Sequence, residues 1–525
     1  MIPVQPPVDR WAEVALVFLV FFIVGGEPAP HLNEQHYLAR LKHFWDPQWC
    51  RGDLFLESPD AHFTIVWLVG WVTLLLPLPA VAWVGRIAAW AFLAWAWQRL
   101  SWAVAPARFC SVLAAAVWLV GIREGNLAGE WVVGGVEAKC FAYGFVLLGL
   151  KACVEDRWSA AWVHLGVATA LHALVGGWCV AIVFALWICR KGPRPTFPAM
   201  APALAAGACL GLLGVVPAIA MNWGTPAEVV AQANRIYVFD RLPHHLALLS
   251  KPDAWLLERG GRHAAVLALL AGVTAWAFTR RSVGATAPGS AALRRVCWFA
   301  WGAVGLAGAG LVIEVTLGRH PAAAASLQRY YWYRLTDVAA PLAVSLGAAH
   351  MIAQGVQRRS TLAVGVAVLA VVGVASSLWP VVAGRLASPT PPGDNRVADL
   401  DAWIDVCAWV RDNTPQDALF LVPRSSNSFK WRAERPEVVT QKDIPQDAAS
   451  MVEWKRRLDE VFRGPATPEG RGPARPLHKL GAGRLRELGA RYGASYVLCG
   501  RQRALSLPVA YRNRAYVVYQ LPAAR

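Results

Sequence analysis

Charged residues are scarce in this chain of 525 residues: they make up 16% of it, whereas hydrophobic residues make up 56%. A composition so apolar excludes an intrinsically disordered chain and is typical of a membrane protein. The ten cysteines show no paired CxxC spacing, which argues against a disulfide framework and against a zinc site. Most of them lie in apolar stretches, where cysteine acts as a small apolar residue; these are Cys110, Cys140, Cys179, Cys189, Cys209 and Cys297.

Two further absences narrow the function. The net charge is +17, but no basic run is interleaved with a nucleic-acid-binding motif, so we expect no nucleic-acid partner. Many of the cations lie instead in short loops, as the orientation of membrane spans requires. The chain also lacks a glycine-rich nucleotide-binding loop, so a nucleotide-linked substrate is not expected.

Long apolar stretches dominate the first 385 residues, about a dozen of them and most about 15–22 residues long. Clear examples are residues 14–26, 81–97, 200–220, 296–317 and 362–379. A helix needs roughly 20 apolar residues to cross the hydrocarbon core. The first stretch lacks a small-x-small cleavage site, so we interpret it as a retained span and not as a signal peptide. The sequence predicts an α-helical polytopic membrane protein with about 11 spans.

Basic loops predict the orientation, because short loops rich in Lys and Arg normally face the cytoplasm. Three such loops, near residues 190–194, 280–295 and 358–359, are each separated by two spans and so fall on one side. The N-terminus is then cytoplasmic. Four large loops are predicted outside, at residues 27–61, 122–138, 222–262 and 318–332. To keep each loop on its predicted side, residues 62–97 must cross the membrane only once. One of the two apolar helices there is therefore expected to lie at the interface or to re-enter.

The character of the chain changes after the transmembrane domain, which we place at residues 1–385. A Pro-rich linker follows at 386–397, and residues 398–525 are predicted to form a small soluble α/β domain on the extracytoplasmic side. Helices are predicted at 399–412, 449–462 and 483–492. Strands are predicted at 418–422, 437–440, 495–499 and 515–520.

Acidic residues in the first two outer loops are the candidate catalytic groups. Glu34 follows the first span in the run Asn-Glu-Gln-His-Tyr, and Asp53 lies further along the same loop. A carboxylate held just above the bilayer can act as a general base on a hydroxyl. Glu137 borders the next span, where ionisable groups are costly and usually functional. The alternative for all three residues is a solvated loop or interfacial capping.

Cations and histidines in the later outer loops are candidates for binding a phosphate. Arg241 precedes His244 and His245. Paired histidines suggest a metal, but adjacent positions point in different directions on a helix, so no metal site is predicted. Phosphate binding by Arg241 and the two histidines is one interpretation, and ordinary interfacial polarity is the other. Arg329 and Arg334 flank aromatic residues at an interface, which suits an anionic headgroup or pyrophosphate. An aromatic belt with snorkelling arginines, or a pair between Arg334 and Asp337, is the alternative. His172, in a turn between two helices, suits packing as well as function.

Taken together, these loops resemble the GT-C class of polytopic glycosyltransferases. Glu34 occupies the place of the acidic motif in the first outer loop of that class, although this chain has Asn-Glu where the family has Asp-Glu or Asp-Asp. The segment Trp-Val-Arg-Asp-Asn-Thr-Pro at residues 409–415 resembles the opening of the outer domain in many such proteins. Residues 488–497 resemble a later helix-Gly-strand segment of the same domains.

The resemblance implies an integral membrane glycosyltransferase that moves a sugar, with inversion, from a polyprenyl-phosphate donor to an acceptor on the outer membrane face. Glu34 would activate the acceptor, and Arg241, Arg329 or Arg334 would stabilise the leaving phosphate. No firm cofactor is implied, although a divalent cation is compatible. The absence of sorting signals favours a bacterial inner membrane. A transporter or lipid flippase, or a non-catalytic membrane protein with an outer binding domain, are the alternatives.

Overall fold

The structure is a computed structural model that describes residues 7–190, 195–279, 289–357, 359–463, 472–502 and 504–522. The described chain is mostly helical, with one small sheet near its C-terminal end. The helices before residue 388 are α1 (Pro7–Gly25), α2 (Glu34–Trp45), α3 (Leu54–Glu57), α4 (Phe63–Val69), α5 (Leu78–Val104), α6 (Cys110–Glu124), α7 (Ala138–Val154), α8 (Trp158–Leu171), α9 (Ala173–Ile188), α10 (Phe197–Ala220), α11 (Ala227–Arg235), α12 (Pro243–Leu246), α13 (Asp253–Thr279), α14 (Ser290–Thr316), α15 (Pro321–Gln328), α16 (Arg334–Gln357) and α17 (Thr361–Ala387).

Six of the described helices are long and apolar enough to cross a membrane: α5, α10, α13, α14, α16 and α17. Helix α17 is almost entirely exposed, and its surface carries large apolar residues such as Leu369 and Val372. Such a surface is stable only against lipid, so the chain is an integral membrane protein. Helices α1 and α6–α9 have 14–19 residues, and the count of about 11 spans stays a prediction.

The orientation also stays a prediction. Much of the basic loops on which it rests lies outside the described residues, at 191–194, 280–288 and 358.

The region in which a single crossing was expected, residues 62–97, contains one long helix. Helix α4 continues into a 3-10 helix (Gly70–Leu74), and the two together are only 12 residues long. At 1.5–2 Å per residue they are too short to cross the hydrocarbon core. They pack on α2 instead, where the indole N–H of Trp45 donates to the Val66 carbonyl at 2.9 Å. Helix α5, with 27 residues, is the long apolar helix of this region.

The C-terminal domain, which we call the outer domain after its predicted side, is built on a four-stranded sheet with the strand order β1-β2-β4-β3. Its elements are α18 (Leu400–Asn413), β1 (Phe420–Leu421), α19 (Phe429–Ala433), α20 (Ala448–Phe462), α21 (Ala482–Tyr492), β2 (Tyr496–Gly500), β3 (Val509–Arg512) and β4 (Tyr516–Gln520). Strand β1 is parallel to β2, and the other two pairs are antiparallel. One apolar cluster packs on each face, around Trp403 on one side and Leu488 on the other.

The predicted helices of this domain are confirmed, as are the predicted strands that became β1, β2 and β4. The predicted strand at residues 437–440 is wrong, because only Glu437 forms a bridge, to Phe420. The chain then turns away, since the side chains of Glu437 and Thr440 hydrogen-bond to each other at 2.7 Å. Strand β3, at Val509–Arg512, was not predicted. Part of the Gly-rich loop, residues 464–471, lies outside the described residues.

A buried ionic cluster joins the outer domain to the first outer loop. Lys430 of α19 lies 3.2 Å from Asp53, 2.6 Å from Glu437 and 2.5 Å from Asp443. Asp443 in turn lies 2.9 Å from the Nδ1 atom of His36 on α2. Buried charges are tolerated only when they are paired and hydrogen-bonded, so these contacts fix the position of the outer domain over the helix ends.

Candidate functional site

Polar side chains from five separate parts of the chain meet where the helices face the outer domain. They come from the start of α2, the loop before α7 with its first turn, the start of α16, a π-helical turn (Ile236–Arg241), and the segment between α19 and α20 in the outer domain. We call this group the polar cluster. Its members are Asn33, Glu130, Glu137, Lys139, Tyr237, Arg241, Tyr331, Arg334 and Lys442.

The loop before α7 owes its shape to two carboxylates. Asp337, in the first turn of α16, accepts the backbone N–H groups of Leu127 and Ala128 at 2.9 Å and that of Glu130 at 3.2 Å. Glu34 accepts the backbone N–H of Val136 at 2.9 Å. Buried backbone donors need such acceptors. The loop between these anchors therefore presents Glu130 and Glu137 in fixed positions.

Glu34 is fully engaged in holding the structure together. Its carboxylate accepts two hydrogen bonds from Arg86 of α5, at 2.6 and 2.5 Å, and another from the backbone N–H of His31 at 2.7 Å. Both partners of the ion pair are completely buried. A bidentate, charge-assisted pair of this kind fixes geometry. The structure thus places the predicted catalytic Glu34 beside the polar cluster, with its oxygens turned to Arg86 and the loop.

Two cations lie at the starts of helices, where the backbone already supplies positive potential. Lys139 is in the first turn of α7, and Arg334 is the first residue of α16. Glu130 lies between them, 3.1 Å from the Lys139 ammonium and 3.5 Å from the Arg334 Nε atom. Glu137 is 3.6 Å from Lys139. Helix N-termini with added cations form a favourable environment for an anion.

The outer domain contributes Lys442, which reaches the membrane part of the cluster through Asn33. The Lys442 ammonium donates to the Asn33 side-chain oxygen, and the Asn33 amide donates to Glu137 at 2.5 Å. Burial, together with the nearby Arg241 and Lys139 charges, lowers the pKa of Lys442 to about 8. Desolvation of a cation near other cations disfavours its charged form. A bound anion would offset that repulsion.

Arg241 and two tyrosines close the cluster on its other side. Arg241 ends the π-helical turn and donates weakly to the Lys442 carbonyl at 3.5 Å. Burial lowers the pKa of Arg241. The hydroxyls of Tyr237 and Tyr331 lie 2.5 Å apart, and Arg334 stacks 3.9 Å above the Tyr331 ring. Tyr331 has a φ of 56°, and both π-helical turns and left-handed residues other than glycine concentrate at functional sites.

The histidines predicted for phosphate binding lie around this cluster. His245 bonds to the Ala128 carbonyl at 2.5 Å, and its ring lies 3.9 Å from that of His244. Burial and the neighbouring Arg241 lower the pKa of His244 to about 4, so this ring is neutral at pH 7. His172 accepts the Val175 N–H at 3.3 Å and so caps α9. Its ring is 5.8 Å from that of His62.

Two other predicted site residues have partners outside the polar cluster. Arg329 donates to the Asn234 side chain at 2.6 Å. Asp53 caps α3 and joins the ionic cluster around Lys430, where only 1% of it is exposed. The suggested pair between Arg334 and Asp337 does not form, because Asp337 holds the loop before α7 and Arg334 faces Glu130.

Sequence reasoning missed six residues of the polar cluster as site residues: Asn33, Glu130, Lys139, Tyr237, Tyr331 and Lys442. Asn33 stands beside the acidic residue of the GT-C-like motif, which is a usable signal. Nothing in the sequence marks the π-helical turn or brings Lys442 near Asn33, about 400 residues away. Among the described residues, no group of three His, Cys, Asp or Glu side chains is arranged to hold a metal ion.

Comparison with known proteins gives two findings. The family described as Domain of unknown function (DUF6798) matches residues 401–461, which contain α18, α19 and α20. A similar solved structure is that of ArnT from Cupriavidus metallidurans bound to undecaprenyl phosphate. The similarity covers 97% of each chain at 14% sequence identity, with a TM-score of 0.46. No curated protein matches the chain.

Proposed function

We propose that this protein is an integral membrane glycosyltransferase of GT-C type that takes a sugar from a polyprenyl-phosphate donor on the outer face of a bacterial inner membrane. One observation carries the proposal: Lys139, Arg241, Arg334 and Lys442 come from distant parts of the chain to one site at the helix ends. Four cations with tyrosines and fewer carboxylates suit the phosphate of a lipid whose tail remains in the bilayer.

In this mechanism Glu137 accepts the proton of the acceptor hydroxyl. The acceptor oxygen then attacks the anomeric carbon, the bond from that carbon to the phosphate oxygen breaks, and the electron pair leaves with the polyprenyl phosphate. Lys139 and Arg334 bind the charge that develops on that phosphate. One direct displacement inverts the anomeric configuration. Glu137 is preferred to Glu34 as the base, because Asn33 and Lys139 are its polar contacts, whereas Glu34 is occupied by Arg86.

Glu34 is then a positioning residue, which holds the loop that carries Glu137. Arg329, His172, His244 and His245 border the proposed site and would contact the sugar or the lipid headgroup. A divalent cation remains compatible with the proposal but has no assigned ligands. The N-terminus is proposed to be cytoplasmic and the outer domain extracytoplasmic.

The test is transfer of a radiolabelled sugar from polyprenyl phosphate by the purified full-length protein. Glu137→Gln and Arg334→Ala should each lower kcat by at least about 100-fold, a typical loss for a proton-transfer group or a fixed donor to developing charge. Glu124→Gln is the control, because Glu124 is exposed at the end of α6, where it accepts a hydrogen bond from Ser377 and lies 3.6 Å from Arg123. Transfer at the wild-type rate in both site variants would refute the mechanism.

The same preparation separates the enzyme from a flippase. Reconstituted into vesicles, a flippase would move a fluorescent polyprenyl phosphate between leaflets and leave its sugar bond intact. Transport of the fluorescent lipid without release of labelled sugar would refute glycosyl transfer and identify the protein as a flippase.

A further inference from the structure

A cavity lies next to the polar cluster, between the π-helical turn and the outer domain. Its volume is about 280 Å³, at the low end of the range for small-ligand pockets, roughly 300–1,000 Å³. The π-helical turn, helix α20 and the segment after β1 enclose it. Arg241 lies in its wall and is also a member of the polar cluster, so the two sites adjoin.

The walls of the cavity carry unbalanced positive charge. Its carboxylates already have partners, since Asp459 lies 3.1 Å from Lys455 and 3.6 Å from Arg463, and Asp240 lies 3.5 Å from Lys455. Within the described parts of the chain, Arg241 and Arg424 have no carboxylate at ion-pair distance. The Nε atoms of both are buried without a hydrogen-bond partner.

Physical chemistry makes such an arrangement costly unless an anion occupies it. Removing a guanidinium from water is unfavourable if nothing replaces its hydration. Burial, with Arg463 and Arg396 nearby, lowers the pKa of Arg424 against the opposing charge of Asp459, and burial lowers that of Arg241 against the opposing charge of Asp443. Part of the wall is apolar, formed by Phe239, Leu458 and Phe462, and Gln441 adds an amide. Convergent cations beside an apolar wall suit an anionic group attached to a compact, ring-sized body.

We propose that this cavity binds a phosphate monoester, with Arg241 and Arg424 holding the phosphate oxygens and the apolar wall facing the group that carries them. A planar guanidinium matches phosphate geometry with two parallel hydrogen bonds. The size of the cavity favours a phosphorylated saccharide over a larger headgroup. Assigning this ligand as the acceptor rests on the proposed function, because Arg241 would then bring it beside the donor phosphate.

The test is isothermal titration of the purified full-length protein with glucose 6-phosphate, with glucose and with inorganic phosphate as separate probes. Glucose 6-phosphate should bind and glucose should not. Arg424→Gln should raise the Kd at least about tenfold, as expected when a charged hydrogen-bond donor is lost. Arg424→Lys should recover part of the affinity, since it keeps the charge but loses the fork. Arg411→Gln removes the same charge from an exposed residue outside the cavity and should have no effect.

A lipid source for the phosphate is distinguished with nanodiscs that contain phosphatidic acid. Binding of phosphatidic acid that depends on Arg424, without binding of glucose 6-phosphate, would keep the phosphate site and assign it to a lipid headgroup. Failure of every phosphate probe to bind, or equal binding by wild type and Arg424→Gln, would overturn the proposal. None of these measurements needs sugar transfer. Phosphate binding in the cavity can therefore be refuted while the proposed function stands, and the proposed function can be refuted while phosphate binding stands.

Discussion

Lys442 shows how the outer domain changes the chemistry of the membrane site. Lys442 is buried beside Arg241 and Lys139. Its pKa of about 8 is therefore well below the value of 10.5 for an exposed lysine. The unfolded chain holds this proton up to about pH 10.5, and the folded chain releases it near pH 8. This group therefore makes folding stability rise with pH between those values. Anion binding has the opposite dependence, because it needs the charged form.

We expect the affinity for polyprenyl phosphate to fall about tenfold between pH 7 and pH 9, as the ammonium of Lys442 is lost. The phosphate is already a dianion in this range, since its second pKa is about 6. Titration of the protein in nanodiscs at both pH values measures the change. Lys442→Arg keeps its charge and should remove most of the dependence, whereas Lys479→Arg, at an exposed position, should retain it. A fall of equal size in Lys442→Arg would show that another group titrates.

Asn33 and Glu34 show how far single residues could be predicted. The motif after the first span predicted Glu34 as a site residue but not its neighbour Asn33, and Glu137, Arg241 and Arg334 were predicted from the outer loops in which they lie. The sequence could not predict which of the two side chains, that of Asn33 or that of Glu34, faces the polar cluster. That is decided by Arg86, a cation inside α5 that occupies Glu34 and leaves Asn33 to contact Glu137 and Lys442.

At the scale of elements, the segment from α19 to the start of α20 links the two parts of the molecule. Lys430 holds three carboxylates, and burial raises the pKa of Glu437 within that group. Two further residues of this segment, Lys442 and Asp443, contact Asn33 and His36 of the first outer loop. The strand predicted at residues 437–440 is wrong because the backbone there is irregular and leaves the sheet after one bridge. The side chains of these residues form ion pairs and hydrogen bonds within the segment.

Removing the Lys430 ammonium from this ionic cluster should loosen the outer domain. Lys430→Met leaves the carboxylates of Asp53, Glu437 and Asp443 buried without their partner, and we expect a loss of about 3–5 kcal/mol in the stability of the domain. Hydrogen exchange of β1 and α19 measures it. Lys479→Met is the exposed control.

Asp53→Asn should cost less than Lys430→Met, because Lys430 keeps two other carboxylates. Combined with Lys430→Met it should restore part of the lost stability, since one uncompensated charge is removed. Loss of sugar transfer in Asp53→Asn at unchanged stability would instead support the catalytic role predicted from the sequence.

At the scale of the whole molecule, the two ends of the helical bundle differ in their charged residues and in the parts of the chain that lie next to them. The polar cluster and the outer domain lie at one end. At the other end Arg295 lies 2.8 Å from Asp156, and Arg190 also pairs with Asp156. Arg157 is exposed there, at the start of α8, whereas the opposite end of α8 leads to His172 near the cluster. Cations concentrated at one end are what the positive-inside rule assigns to the cytoplasm.

Labelling of engineered cysteines in intact cells tests this orientation. In a background without the exposed Cys189 and Cys209, a membrane-impermeant maleimide should label Glu228→Cys and Asp412→Cys, which lie at exposed positions on the side of the polar cluster. Arg157→Cys should react only after the membrane is permeabilised. The reverse pattern would place the polar cluster in the cytoplasm. There it could not meet a donor on the outer face, so the proposed glycosyl transfer requires the first pattern.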